Sequence, residues 1–182
     1  MEDKIQFEPL TSDKLAIVKD FECGTEPWQK EVSNWITGKS DDCAAKALKD
    51  RRCKIFLYRT PSDEIVGFGA LGKTNGEWPD GDSDRRRVAI IPWMGIYSKF
   101  CGKPGVKGEP NYSDRIIIDL IYKAKATNLP LLVLYVHPKN AAAIKVYSRN
   151  HFVRSKSIVM KAEEASQPDY IGMWFDLAAL EL

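Results

Sequence analysis

Two hydrophobic rhythms alternate along this chain. Short apolar runs bounded by turn residues predict strands, and apolar residues three or four apart predict helices. The clearest strand is Leu131 to Val136, an apolar run that His137-Pro138 stops. Asn140 follows where a helix N-cap belongs, and Ala141 to Asn150 can form nearly three turns. Trp28, Val32, Trp35 and Ile36 recur at helical spacing, so a helix is expected from Pro27 to about Thr37, with Pro in its first turn. Ile116, Ile117, Leu120, Ile121 and Ala124 mark one side of another helix, Tyr112 to Thr127.

The remaining elements follow from the same pattern. Lys4 to Glu8 reads as a short first strand, and Thr11-Ser12-Asp13 offers caps for a helix to about Asp20. Asp41 or Asp42 can cap a helix carrying Ala44, Ala47 and Leu48. Lys54 to Arg59 and Ile65 to Gly72 form a hairpin around Pro61-Ser-Asp-Glu64. Gly72 to Asp84 reads as a loop, and Val88 to Tyr97 as a long strand interrupted by Pro92 and Gly95. Cys101 to Asn111 is a Gly/Pro/Lys loop, and Phe152 to Met160 and Tyr170 to Leu177 are two closing strands. No repeat or linker divides this order. It predicts a single domain over residues 1–182, of α/β or α+β class, built around a central sheet.

Composition narrows the function classes. A net charge of +2 over 182 residues does not by itself indicate nucleic acid. Arg51-Arg52 and Arg85-Arg86-Arg87 are local basic clusters. Cys23, Cys43, Cys53 and Cys101 form no CxxC pair and lie far from both histidines in sequence, so no metal site is expected. The N-terminus is polar, without a signal peptide, and no apolar run approaches the ~20 residues of a spanning helix. A cytoplasmic protein with reduced thiols and no membrane partner is the expectation.

Two glycine-containing stretches compete as phosphate cradles. Gly67-Phe-Gly-Ala-Leu-Gly-Lys-Thr74 matches the P-loop letters GxxxxGK[ST]. That pattern needs a helix after it, and Asn75-Gly-Glu-Trp-Pro-Asp-Gly-Asp82 cannot start one. A nucleotide hydrolase is therefore disfavoured. Gly102-Lys-Pro-Gly-Val-Lys-Gly108 lies between a strand and a helix. There Gly102, Gly105 and Gly108 would let backbone approach an anion, and Lys103 and Lys107 would add charge. Asn140 and Tyr147, seven residues apart on one helix, lie within about 20° of the same face. A polar cap and a phenol are thus aligned over the end of a buried strand.

The segment from Leu131 to Phe152 resembles the C-terminal half of the GNAT acetyltransferase superfamily, with its strand, Asn, small residues, Tyr and closing aromatic pair. His151-Phe152 stands where the family usually has Gly-Phe. The element order resembles the GNAT topology along most of the chain. The resemblance implies a mainly antiparallel sheet splayed around a coenzyme site, with helices on both faces. It also implies acetyl-CoA as cosubstrate and an amine as acceptor. The Gly102 to Gly108 loop resembles the family's pyrophosphate motif, with irregular glycine spacing. Met94, Gly95 and Ile96 would line the thioester pocket, Asn140 would contact the pantetheine arm, and Tyr147 would act as general acid on the leaving thiolate. For a general base, Glu22, Glu77 and His137 stay open.

Phe21-Glu-Cys-Gly24 with Trp35-Ile36 is similar to an arrangement in GNAT toxins that acetylate aminoacyl-tRNA, and the basic clusters would suit such a ligand. A charged tRNA is therefore the alternative acceptor. A non-catalytic acyl-CoA-binding module is a further alternative, and a homodimer is a candidate assembly.

Overall fold

The computed structural model describes residues 5–76, 85–105, 110–160 and 169–180, with the side chains of 157–159 outside the description. The strands are β1 (Gln6–Pro9), β2 (Cys53–Arg59), β3 (Ile65–Gly76), β4 (Arg86–Ile91), β5 (Met94–Ile96), β6 (Leu131–Val136), β7 (Val153–Met160) and β8 (Tyr170–Asp176). The α-helices are α1 (Pro27–Thr37), α2 (Ala44–Lys49), α3 (Tyr112–Lys125) and α4 (Ala141–Arg149), and a 3-10 helix spans Ser12–Val18. Strand pairing follows the order β1-β2-β3-β4-β6-β8-β7, with β5 pairing β3 off this path. The β4–β6 ladder is parallel; β1–β2, β3–β4, β3–β5, β6–β8 and β7–β8 are antiparallel. This is the mixed α/β, mainly antiparallel class expected from the sequence.

The chain divides into two compact units. The first comprises Met1–Leu71 and Trp93–Ile116. Its core joins Leu10, Phe21, Trp35, Ile36, Ile55, Leu57, Phe68 and Ala70, all buried. α1 forms where the pattern expects it. The Glu26 N–H donates to Gln29 Oε1 at 3.1 Å at its start. Gly38, at φ +80°, closes its end, with the Lys39 N–H donating to the Asn34 carbonyl at 2.9 Å. The helix faces inward through Trp35, which stacks on Phe68 with ring centroids 6.0 Å apart. The other side of β3 meets α3: a Cβ on Gly67 would lie 3.1 Å from Ile116 Cδ1. Helices therefore cover both faces of β3 within this unit.

The second unit comprises Gly72–Pro92 and Ile117–Leu182. β6 is central here, flanked by β4 and β8. One face carries Val88, Leu131 and Val133, packed by Ile90, Tyr135 and Trp174. On the other face Phe175 stands opposite Leu132, and Phe152 packs on Phe175 at 5.6 Å between ring centroids.

Three local expectations are corrected. β3 continues to Gly76 instead of turning at Gly72, because Lys73 to Gly76 pair with Arg86 to Ala89 of β4. The rest of the expected loop, residues 77–84, lies outside the described residues. Neither Asp41 nor Asp42 caps α2. Cys43 holds that position without a side-chain cap bond, and Asp42 pairs with Arg52 at 2.5 Å instead. The helix expected after Thr11 is 3-10 in geometry.

Candidate functional site

The long strand expected from Val88 to Tyr97 breaks into β4 and β5 at Pro92-Trp93. Proline lacks an N–H, so a ladder loses a rung there. In the first unit, the Ala70 N–H donates to the Trp93 carbonyl and the Tyr97 N–H to the Val66 carbonyl, each at 2.8 Å. Backbone groups alternate in direction along an antiparallel strand. Trp93, Gly95 and Tyr97 therefore face β3, and the N–H and C=O groups of Met94 and Ile96 face away from it. The Ile96 carbonyl accepts a thiol contact from Cys101 Sγ at 3.8 Å. Met94 and Ile96 are half-buried and Gly95 is buried.

Gly95 does not interrupt the strand as expected. It stays paired, opposite Phe68. A Cβ there would lie 2.7 Å from Cys23 Sγ, 2.8 Å from Phe68 Cε1 and 2.9 Å from Val32 Cγ1. Its lack of a side chain lets α1 and the Cys23 segment close onto β5, and Pro92 alone accounts for the break.

In the second unit, β6 outruns its parallel partner. Pairing with β4 spans Ala89↔Leu132 to Ile91↔Leu134, whereas among the described residues the strand pairing of Tyr135 and Val136 is with β8. Asn140 caps α4 as expected: its Oδ1 accepts from the Ala143 N–H at 3.2 Å. Tyr147 lies two turns on, half-buried, with its ring 5.9 Å from Phe152. Among the described residues its hydroxyl has no hydrogen-bond partner. Burial pushes this phenol up to about 12, so it stays protonated at neutral pH.

The departure from Gly-Phe at the end of α4 has a structural answer. His151 adopts φ +66°, the left-handed conformation a glycine would take. The Phe152 N–H then reaches the Tyr147 carbonyl at 3.0 Å, and Phe152 is buried.

The loop after β5 is less complete as an anion cradle. Gly102 takes φ +70° and is exposed, Lys103 is exposed with its N–H on the Phe100 carbonyl at 3.2 Å, and Gly105 is half-buried. Lys107 and Gly108 lie outside the described residues. The sequence reading missed Asp114. It sits buried in the first turn of α3, where its carboxylate meets the positive end of the helix dipole that an anion would use. An acid three residues into a helix is the signal that could have shown it.

The candidate bases separate. His137 Nδ1 accepts the Lys139 N–H at 3.2 Å, which leaves the proton of a neutral ring on Nε2 and makes that atom a donor. Glu22 is exposed, and its carbonyl accepts from the Ser98 N–H at 2.7 Å, next to the end of β5. Glu77 lies outside the described residues.

The toxin-like motif is built into the first unit's core. Phe21 packs edge-on against Phe68 at 5.3 Å and Tyr97 at 5.2 Å. The Cys23 N–H donates to Ser33 Oγ at 2.9 Å, and burial pushes its thiol up to about 12. Gly24, at φ +141°, lies so close to Gln29 that a Cβ would collide with that side chain. Trp35 stacks on Trp93 at 5.4 Å, and its Nε1–H is buried without a partner among the described residues.

Of the basic clusters, Arg52 is tied to Asp42 at 2.5 Å and Asp50 at 3.8 Å. Arg85, Arg86 and Arg87 are exposed at the start of β4. The P-loop letters Gly67 to Thr74 all lie within β3, without the turn a phosphate loop needs. Among the described residues no His/Cys/Asp/Glu group could hold a metal ion, and no helix is long and apolar enough to cross a membrane.

No protein-family model matches the chain, and no curated protein matches it. Solved structures do. A bacterial toxin superposes with a TM-score of 0.71 at 15% identity, over 97% of this chain and 93% of that one. A tyrosine-to-phenylalanine mutant of the AtaT toxin, bound to the C-terminus of the antitoxin AtaR and to acetyl-CoA, gives 0.64 at 12% identity, over 98% and 96%. An acetyltransferase assigned to the GNAT family, from Desulfovibrio desulfuricans, gives 0.63 at 13% identity, over 96% and 99%. This chain therefore has the GNAT acetyltransferase fold, and toxins are among the structures it resembles.

Proposed function

We propose that this chain is a cytoplasmic acetyl-CoA-dependent N-acetyltransferase acting on a primary amine. The observation that carries the reading is the register of β5, which turns the main-chain groups of Met94 and Ile96 off β3. Main-chain donors in that state can hydrogen-bond an extended amide arm as a strand neighbour would, and can polarise a thioester carbonyl. Gly95 keeps the strand close to α1. Gly102, Lys103 and Gly105, with Lys107 and Gly108 by sequence, are the residues this reading assigns to the pyrophosphate. Asn140 holds the N-terminus of α4 and is assigned to the pantetheine.

The chemistry asks little more of the protein. The amine nitrogen bonds to the carbonyl carbon, the carbon–sulfur bond breaks, and the electron pair leaves on sulfur. Tyr147 Oη gives its proton to that thiolate, and the amine's surplus proton passes to water. The phenol is protonated at neutral pH and so has the proton to give, although burial makes it a weaker acid than a free tyrosine. Titration calorimetry with acetyl-CoA tests the reading: micromolar binding is expected, and none at millimolar ligand would sink it. Tyr147→Phe should lower turnover about 10²-fold with acetyl-CoA affinity nearly unchanged. Unaltered turnover would remove the general-acid role.

A second reading draws on the Phe21 to Gly24 core and on the toxin among the structural matches. It makes the acceptor the amine of an aminoacyl-tRNA, whose low basicity would dispense with a dedicated base. Acetylation of charged tRNA, with growth arrest on expression, is the expected outcome. Coenzyme binding without turnover on any amine would instead favour a non-catalytic module.

A further inference from the structure

We infer that the outer face of α4 and the adjoining part of β7 bind the sugar–phosphate backbone of a double-stranded nucleic acid. The inference stands on the second unit alone and does not depend on acetyl transfer. Its first basis is charge. The sequence holds no Asp or Glu between Asp119 and Glu163, while that stretch contains Lys139, Lys145, Arg149, Arg154 and Lys156. All five are exposed. Among the described residues the side chains of Lys139, Lys145, Arg154 and Lys156 have no ion pair or hydrogen bond. Some cations of the chain are neutralised: Arg59 pairs with Glu8 at 2.9 Å, Lys99 with Glu64 at 2.6 Å and Lys123 with Asp119 at 2.6 Å. Asp176, the acid of β8, is turned to the N–H groups of Ala178 and Ala179, at 2.8 and 3.2 Å.

The second basis is placement. Tyr147 packs on Phe152 and Phe152 on Phe175, so α4 lies over β8. Arg154 stands opposite Met173, the neighbour but one of Phe175 along β8, and therefore leaves β7 on the face that α4 covers. Lys145 and Arg149 are one helical turn apart, about 6 Å between their Cβ atoms. Lys145, Arg149 and Arg154 thus stand on the side of this unit that α4 covers, with Lys139 in the turn before α4 and Lys156 two residues beyond Arg154, where the pairing of β7 is irregular.

The third basis is what lies between them. The exposed residues of α4 are Ala141, Ala142, Lys145, Ser148 and Arg149. Small side chains allow close approach. The aromatic or aliphatic anchors that a protein partner would fill are missing from this face among the described residues. So are the aromatic platforms on which single strands stack. Cations without anchors or platforms suit a phosphate backbone whose bases are already paired.

The test measures fluorescence anisotropy of a short labelled RNA duplex, and of the matching DNA duplex, with the full chain. With four phosphate contacts, affinity should fall about 10²-fold between roughly 50 and 200 mM salt. The triple variant K145Q/R154Q/K156Q should lower the salt slope by about three and leave acetyl-CoA affinity, read by calorimetry, unchanged. Arg52→Gln, which removes a paired cation, should leave duplex binding unchanged. Preference for RNA over DNA assigns the surface to A-form geometry, and equal binding assigns it to the shared phosphates; both support the proposal. No binding at low salt, an unchanged slope in the triple variant, or displacement of the duplex by polyglutamate at equal charge concentration would overturn it.

Discussion

α1 and α4 are both amphipathic helices of about three turns, yet they are held in opposite ways. α1 drives two side chains, Trp35 and Ile36, fully into the first unit's core. α4 buries none completely. It is fixed at its ends, by the Asn140 cap and by the left-handed turn at His151 that seats Phe152. A helix anchored through its middle supplies stability. A helix anchored at its ends leaves its length free to present chemistry, here a half-buried phenol on one side and exposed cations on the other. The similar apolar spacing of the two segments does not distinguish these uses; what the helix lies against does.

Truncating the anchor should have the largest effect. Trp35→Ala removes the stack on Phe68 and Trp93 and should destabilise the protein by about 3–5 kcal/mol in urea unfolding. A loss under about 1 kcal/mol would mean that α1 is held elsewhere. Asn140→Ala should cost about 1 kcal/mol, with the calorimetric coenzyme affinity lowered in the same variant if the cap also serves the ligand. His151→Gly should stabilise by roughly 0.5–1 kcal/mol, because glycine accepts the positive φ without a Cβ clash. Destabilisation would show that the imidazole makes contacts that outweigh the strain.

The smallest effect is a pH dependence, seen as a difference between wild type and Tyr147→Phe. The folded phenol, near 12, lies above its ordinary value of 10.0 because of burial. The folded state therefore holds this proton more tightly than the unfolded chain does. The associated stability is complete below about pH 10 and is lost as pH rises toward 12. Wild type should lose stability relative to the variant over that window. Parallel curves would place the phenol in water.

Elements whose signals are local were legible in the sequence. α1 shows its Pro at the first turn and its Gly at the end, and α4 shows its Asn cap. β6 shows its unbroken apolar run. What escaped depends on partners distant in sequence. Lys73 to Gly76 look like a loop until β4 pairs with them. Asp42 looks like a cap until Arg52 takes it. Gly95 looks like a weak rung until Cys23, Phe68 and Val32 close around it. At the candidate site the cap and the phenol were readable, because helical spacing alone aligns them. The burial of Asp114 and the occupied Nδ1 of His137 were not, because folding decides which groups reach them.

The outward edge of β5 has one more consequence. Peptide groups are the same whatever residue carries them, so the proposed grip by the backbone of Met94 and Ile96 would leave no imprint in the letters at those positions. Selection on such an edge constrains where the strand turns, through Pro92, and leaves neighbouring side chains free to drift. A lineage can then lose every trace that residue-by-residue comparison detects while its main-chain path persists. That is the combination seen here: no match to any family model, beside superposition on toxin and acetyltransferase structures at 12–15% identity.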